Sequence, residues 1–137
     1  MNVVVLIGRI LFSLNFIFAS LGHWSRESFD WATSLGVPMA SILVPVGGII
    51  AFLGGLSILL GYKARIGGWL IALYTLGVTV TMIGFVPPDV PEHMGNMIQG
   101  WILMKNLALL GGALVITYFG SGPLSIDNKH HVKRGRK

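Results

Sequence analysis

The chain contains no cysteine among its 137 residues. By itself it therefore cannot form disulfides, thiolate nucleophiles, CxxC redox pairs or cysteine-ligated metal centres. Charged residues are also scarce, at 11% of the chain, whereas soluble domains carry about 25%. So few charges cannot cover a water-exposed surface of ordinary size, which excludes the usual soluble globular classes.

Hydrophobic residues make up 53% of the chain and are concentrated in four long runs, at about 3–22, 41–61, 66–86 and 99–120. A helix of about 20 apolar residues crosses ~30 Å of hydrocarbon. The sequence therefore predicts an all-α integral membrane four-helix bundle that forms one domain at residues 1–127. Residues 128–137 are predicted to be a basic tail.

The first run and the connections need separate interpretation. Arg9 interrupts the first run, so we interpret it as a retained helix, with processing near Gly22 as the alternative. Residues 23–40 carry enough aromatic surface for a short interfacial helix. Prolines disfavour a helix at the start of segment 87–98, and we expect the fourth long helix to begin as early as Glu92.

Basic residues are unevenly distributed between the two sides of the predicted bundle. One side would carry the termini and the 61–65 loop, with a single acid, Asp127, and the cations Lys63, Arg65, Lys129, Lys133, Arg134, Arg136 and Lys137. Lys and Arg in short loops stay in the cytoplasm, so both termini are predicted to be cytoplasmic. We expect the tail residues Lys133, Arg134, Arg136 and Lys137 to lie on anionic lipid rather than on nucleic acid.

Small residues indicate where the helices pack. Gly47, Ala51 and Gly55 repeat at intervals of four residues on one face of the second long helix, and Gly111 lies in the fourth. Close backbone approach drives helix association in lipid. We therefore expect these positions at helix contacts and the second long helix at the centre of the bundle.

Among the polar residues inside the apolar runs, four are ones that apolar helices do not need: Arg9, Asn15, Lys105 and Asn106. Ionisable groups at mid-depth cost at least ~2.5 kcal/mol and usually mark function. Two structural alternatives remain open, because Arg9 and Lys105 can snorkel to the headgroups and the two asparagines can hydrogen-bond across helices. No Asp or Glu occurs within the four runs, which excludes a carboxylate proton relay there.

Histidine and methionine suggest two metal alternatives. His23 and His93 on one side are conceivable axial ligands of a haem, and the soft set for copper is His93, Met94, Met97 and Met82. Methionine usually fills cores and loop histidines are usually solvated. We therefore predict neither cofactor and no metal site.

Several short motifs follow one another in a recognisable order. They are Gly8–Arg9–Ile10–Leu11–Phe12, Gly36–Val37–Pro38, Gly54–Gly55, Leu59–Leu60–Gly61–Tyr62–Lys63–Ala64–Arg65, Lys105–Asn106 through Gly111–Gly112, and Gly120–Ser121–Gly122–Pro123–Leu124–Ser125–Ile126–Asp127. In these the chain resembles the DoxX family of small four-helix bacterial membrane proteins. The resemblance implies a bacterial inner-membrane location and a redox-linked setting, since one branch is similar to subunits of a thiosulfate:quinone oxidoreductase. Family sequences commonly carry Glu where this chain has Ala51.

Two functions follow from these observations. The first is a non-catalytic accessory or scaffold subunit of a membrane complex, with protein partners or further copies of itself around it. The alternative is a quinone-binding subunit, in which hydrogen-bond donors hold a quinone or lipid between aromatic walls. The candidate donors are Asn15, Lys105 and Asn106, and the candidate walls are Tyr74 and Trp101. We predict no catalytic residue, and nothing beyond the helix count supports a transporter.

Overall fold

The computed structural model describes residues 2–83 and 90–127, and this part of the chain is entirely helical apart from turns. Five helices follow one another: α1 (Asn2–Gly22), α2 (Arg26–Ser34), α3 (Ala40–Leu60), α4 (Ala64–Met82) and α5 (Glu92–Phe119). All except α2 are long and apolar enough to cross a membrane. For the described residues, the prediction of an all-α protein with four helices long and apolar enough to span a membrane is therefore confirmed.

The limits of the elements agree with the sequence in two places and differ in one. The short helix expected in segment 23–40 is α2, and α5 begins at Glu92 as anticipated. The third long helix ends at Met82, four residues before the end of its apolar run. Residues 84–89 and the basic tail, with Lys133, Arg134, Arg136 and Lys137, lie outside the described residues.

Helix α2 forms because its first turn is capped. Ser25 has an extended backbone, and its hydroxyl accepts a hydrogen bond from the Ser28 N–H at 3.2 Å. Glu27 places a negative charge in the same turn, where the helix dipole is positive. This cap fixes a short helix across one end of the bundle, packed against α3.

The long helices pack in the order α1, α3, α4, α5. Gly61 ends α3 with a φ of +63° and Lys63 precedes α4 with a φ of +49°, so the chain reverses within three residues. Helices joined by so short a turn are antiparallel neighbours. We call the end that carries residues 61–63 the turn face and the opposite end the α2 face. The central position expected for the second long helix is confirmed, since α3 packs against α1, α2 and α4.

Glycines bring the backbones close together at each long contact. A Cβ on Gly55 would lie 3.2 Å from the carbonyl oxygen of Ser13, and one on Gly54 would lie 3.2 Å from that of Gly67. One on Gly68 would lie 3.0 Å from the carbonyl oxygen of Ala113. Side chains at these positions would separate α3 from α1, α3 from α4 and α4 from α5, respectively.

Between the helices is a small apolar core, formed by Phe16, Ile58, Ile71, Ala72 and Ala113. Most other large apolar side chains face outward, including Phe18 on α1 at 66% exposure and Trp69 on α4 at 62%. An outward apolar surface of this kind is the lipid-facing side of a membrane bundle. The interior is therefore small, and close backbone contact contributes much of the packing.

Replacing Gly68 by Ala is expected to lower the free energy of unfolding by about 1–3 kcal/mol, because the added Cβ overpacks the contact with α5. Gly111→Ala is the matched control, since a Cβ at Gly111 meets nothing within 4 Å. Equilibrium unfolding of both variants in detergent measures the difference. Equal stabilities would contradict the assignment of Gly68 to the α4–α5 contact.

Candidate functional site

A cavity of about 390 Å³ lies between α2, α3 and α4 near the α2 face. Its walls are mostly apolar and are formed mainly by Trp31, Leu35, Val46, Ile50, Leu73 and Val78. Its lining on α3 runs from Leu43 to Ile50, so the cavity extends about 10 Å along that helix. Ligand sites typically occupy 300–1,000 Å³ and are lined in this way.

The space exists because two lining positions have no side chain. Gly47 on α3 and Gly77 on α4 both border the cavity. A Cβ on Gly47 would only touch the Tyr74 ring at 3.6 Å, and one on Gly77 would meet nothing within 4 Å. These glycines leave room between α3 and α4 near the α2 face. Nearer the turn face, Gly54 and Gly67 bring the same two helices into close contact.

The main polar feature of the cavity wall is a hydrogen-bonded pair, His23 and Tyr74. His23 is the first residue after α1, and its Nδ1 lies 2.8 Å from the Ala19 carbonyl oxygen. Its Nε2 lies 3.1 Å from the Tyr74 hydroxyl oxygen. The Tyr74 ring also meets Phe16 edge-on at 6.2 Å between centroids. The pair therefore joins the end of α1 to the middle of α4 and is anchored on the core.

Of the residues proposed from the sequence as quinone contacts, only Tyr74 lines this cavity. Asn15 lies on the exposed side of α1, and Lys105 and Trp101 lie on the exposed side of α5. Asn106 is buried, at 5% exposure, within the bundle. The fold therefore does not gather these five side chains into one pocket.

Asn106 and Thr75 form a second polar feature deeper in the bundle. The Asn106 Nδ2 and the Thr75 Oγ1 are both buried, and neither has a hydrogen-bond partner in the described part of the chain. Gly68 on α4 contacts Ala113 on α5. Thr75 follows Gly68 by seven residues, and Asn106 precedes Ala113 by seven residues on the antiparallel helix. The two unpaired groups therefore lie at a similar depth in the α4–α5 contact, where water or the polar end of a ligand would satisfy them.

The proposed packing residues have different surroundings. Ala51 is fully buried, and Gly55 contacts α1. Gly47 borders the cavity, and a Cβ on Gly111 would face open space. The neighbouring Gly112 contacts the ring of Phe12 on α1, which would lie 2.9 Å from a Cβ added at Gly112.

At the turn face, Arg9 is held inside the protein. It is 6% exposed, and its Nη1 and Nη2 donate to the carbonyl oxygens of Ser121 at 2.9 Å and Leu124 at 2.8 Å. Charged donors strengthen such bonds. The guanidinium thus binds the segment that follows α5 instead of extending along the outside of α1 toward the headgroups.

The same segment ends in a long-range helix cap. The Asp127 carboxylate accepts hydrogen bonds from the Lys63 N–H at 3.0 Å and the Ala64 N–H at 3.2 Å, at the start of α4. The Asp127 N–H donates to the Gly61 carbonyl at 2.9 Å. Lys63 supplies no cap of its own, so a residue 64 positions along the chain satisfies the exposed donors. Residues 120–127 therefore close the turn face of the bundle.

The described residues do not bring the proposed haem or copper ligands together in one site. Within them, no three His, Cys, Asp or Glu side chains gather. Both ring nitrogens of His23 already have partners in the chain. Met82 borders the cavity, whereas Met94 and Met97 on α5 are 46% and 53% exposed.

Sequence reasoning missed the cavity and the partnership of His23 with Tyr74. It considered His23 only as a conceivable haem ligand together with His93, because depth alone does not specify which helices are neighbours. Gly47 belongs to the small-residue repeat that predicted a helix contact, so the sequence did not indicate that it borders a cavity.

Four apolar spanning helices around a small core, with a largely apolar cavity at one end, define a multi-pass helical membrane protein. The model of the DoxX family matches residues 4–84, more than half of the chain. The protein therefore belongs to the DoxX family. No curated protein and no solved structure matches the chain.

Replacing Arg9 by Leu is expected to release residues 121–127, because two charge-assisted bonds of about 1.5–3 kcal/mol each would be lost. Hydrogen exchange of the detergent-solubilised protein measures this, with faster exchange expected in that segment and at the start of α4. Arg26→Leu, at an exposed cation on α2, is the control. Unchanged protection in the Arg9 variant would show that the guanidinium does not hold the segment.

Proposed function

We propose that this DoxX-family protein is a non-catalytic membrane subunit that binds one neutral amphiphilic molecule in the cavity between α2, α3 and α4. The cavity itself carries the proposal: about 390 Å³ of largely apolar space with the His23–Tyr74 pair at its edge. An apolar tail would lie along α3 and α4, and a polar head would meet the pair.

Charge supports a neutral ligand. None of the described residues that line the cavity is Asp, Glu, Lys or Arg. A charged head in an apolar, membrane-level site without a counter-charge would carry a large desolvation cost. The absence of a carboxylate or a paired nucleophile in the lining also favours binding over catalysis by this chain.

A quinone-class molecule is the first ligand to test, because its ring is neutral, its tail is apolar and the family resemblance points to quinone-linked chemistry. Tyr74 would then be a ligand contact, as proposed from the sequence. Asn106 remains a second proposed contact, because its buried amide nitrogen has no partner among residues 2–83 and 90–127. Asn15, Lys105 and Trp101 would contact only lipid or a neighbouring protein.

Replacing Gly77 by Leu is expected to fill the cavity and block binding without disturbing the helix contacts, since a Cβ there meets nothing within 4 Å. Binding of decylubiquinone to the protein in nanodiscs, and mass spectrometry of co-purifying lipids, provide two measurements. We expect at least a tenfold loss of affinity, with the unfolding temperature little changed.

Gly100→Leu is the matched control, because Gly100 also has open space around it but lies on α5 outside the cavity. It should bind the probe as the unchanged protein does. Equal binding by the Gly77 variant and the unchanged protein would exclude the cavity as the site. A failure of all three proteins to bind any amphiphile would contradict the proposed function.

We also propose that the turn face is cytoplasmic, as the distribution of Lys and Arg indicates. Because the chain has no cysteine, single-cysteine variants report orientation without background. Ser34→Cys on α2 should react with a membrane-impermeant maleimide in intact spheroplasts. Tyr62→Cys on the turn face should react only after lysis, and the reverse pattern would overturn the orientation.

A further inference from the structure

We propose that the cavity selects ligands whose polar head donates a hydrogen bond, namely a hydroxyl or phenol, over the matching carbonyl or ether. This inference rests on the proposed function, because it concerns the ligand of the same cavity. For a quinone-class molecule it means that the reduced, hydroxyl-bearing quinol is bound more tightly than the quinone. The reason lies in where the protons of the lining side chains point.

The proton positions at His23 follow from its partners. The Ala19 carbonyl can only accept, so the hydrogen on His23 lies on Nδ1 and donates to that oxygen. In the neutral ring the other nitrogen, Nε2, is then an acceptor. The Tyr74 hydroxyl must therefore donate its proton to Nε2. The phenolic oxygen keeps its lone pairs and has no further proton to give.

The other lining hydroxyls also direct their protons to backbone carbonyls. Ser28 Oγ donates to the Gly22 carbonyl at 2.5 Å, and Thr81 Oγ1 donates to the Val78 carbonyl at 2.9 Å. Trp31, which also borders the cavity, takes part in an interaction within the chain. The hydroxyls of the wall therefore present acceptor lone pairs to a ligand.

A ligand hydroxyl complements this wall, because it can donate to the Tyr74 oxygen without disturbing the His23 bond. A carbonyl or ether brings only another acceptor. To receive a hydrogen bond it would have to draw the Tyr74 proton away from His23 and leave the half-buried Nε2 without a partner. Unpaired buried acceptors are costly, and a net bond of this kind corresponds to a preference of about 3- to 10-fold.

The test uses two probes that differ only at the head, 4-heptylphenol and its methyl ether, 4-heptylanisole. Binding is measured in nanodiscs by equilibrium partition, with empty nanodiscs subtracted to remove uptake by the lipid. The unchanged protein should bind the phenol about 3- to 10-fold more tightly than the ether. Equal affinities, or a preference for the ether, would overturn the inference.

Two variants locate the preference at the proposed atoms. The double variant His23→Leu, Tyr74→Phe keeps a ring at position 74 but removes both acceptors of the pair, so the phenol should fall to the affinity of the ether. Tyr62→Phe, at an exposed tyrosine on the turn face, should leave the preference unchanged. His23→Leu releases the Tyr74 proton to the cavity, so the ether should gain affinity and the preference should shrink.

The outcomes separate this inference from the proposed function. If both probes bind equally and Gly77→Leu abolishes both, the cavity is a ligand site but its hydroxyl selectivity is wrong. If neither probe binds to the unchanged protein, the proposed function fails and the selectivity fails with it. A phenol preference that survives in the double variant His23→Leu, Tyr74→Phe would place the acceptor elsewhere and contradict the inference.

Discussion

Close contact between helix backbones is the constraint on which the rest of this structure depends. Lipid tails are as apolar as the side chains, so there is little hydrophobic driving force for helix association. The helices therefore associate through close packing and through hydrogen bonds within the bundle. Gly54 against Gly67 and Gly68 against Ala113 hold α3, α4 and α5 at backbone distance. The cavity begins where this contact ends, because Gly47 and Gly77 have no side chains of their own to fill the space that they border.

The polar groups of the interior are mostly satisfied by backbone carbonyls and not by one another. Arg9 donates to the segment that follows α5, and His23 donates to the last turn of α1. In each case the side chain uses carbonyl oxygens at or beyond the C-terminal end of a helix, where they lack partners within the helix. The arrangement places a buried cation, Arg9, at the turn face and a neutral, acceptor-rich pair at the α2 face, so the two ends of the bundle suit different chemistry.

The four spans, the interfacial helix and the early start of α5 were predictable, because each depends on residues that are close together in the sequence. Hydropathy, a serine cap and the position of prolines are local signals. The partner of His23 was not predictable, because two helices of similar hydropathy are equally good neighbours by composition. The cap that Asp127 provides for α4 was hidden for a related reason, since the two residues it joins are more than sixty positions apart.

The sequence by itself determined that the helices suit a lipid bilayer, how many of them are long enough to span it, and which residues are small enough for close helix contact. The physical reason is that hydrocarbon admits only long apolar helices whose backbone groups bond internally. Only the tertiary structure decided that Arg9 meets the C-terminal segment, that Asn106 and Thr75 share a depth, and that His23 meets Tyr74 beside a cavity. These contacts depend on which helices are neighbours and on how each helix is rotated about its axis. Many weak packing contacts together set that arrangement, and no single residue does.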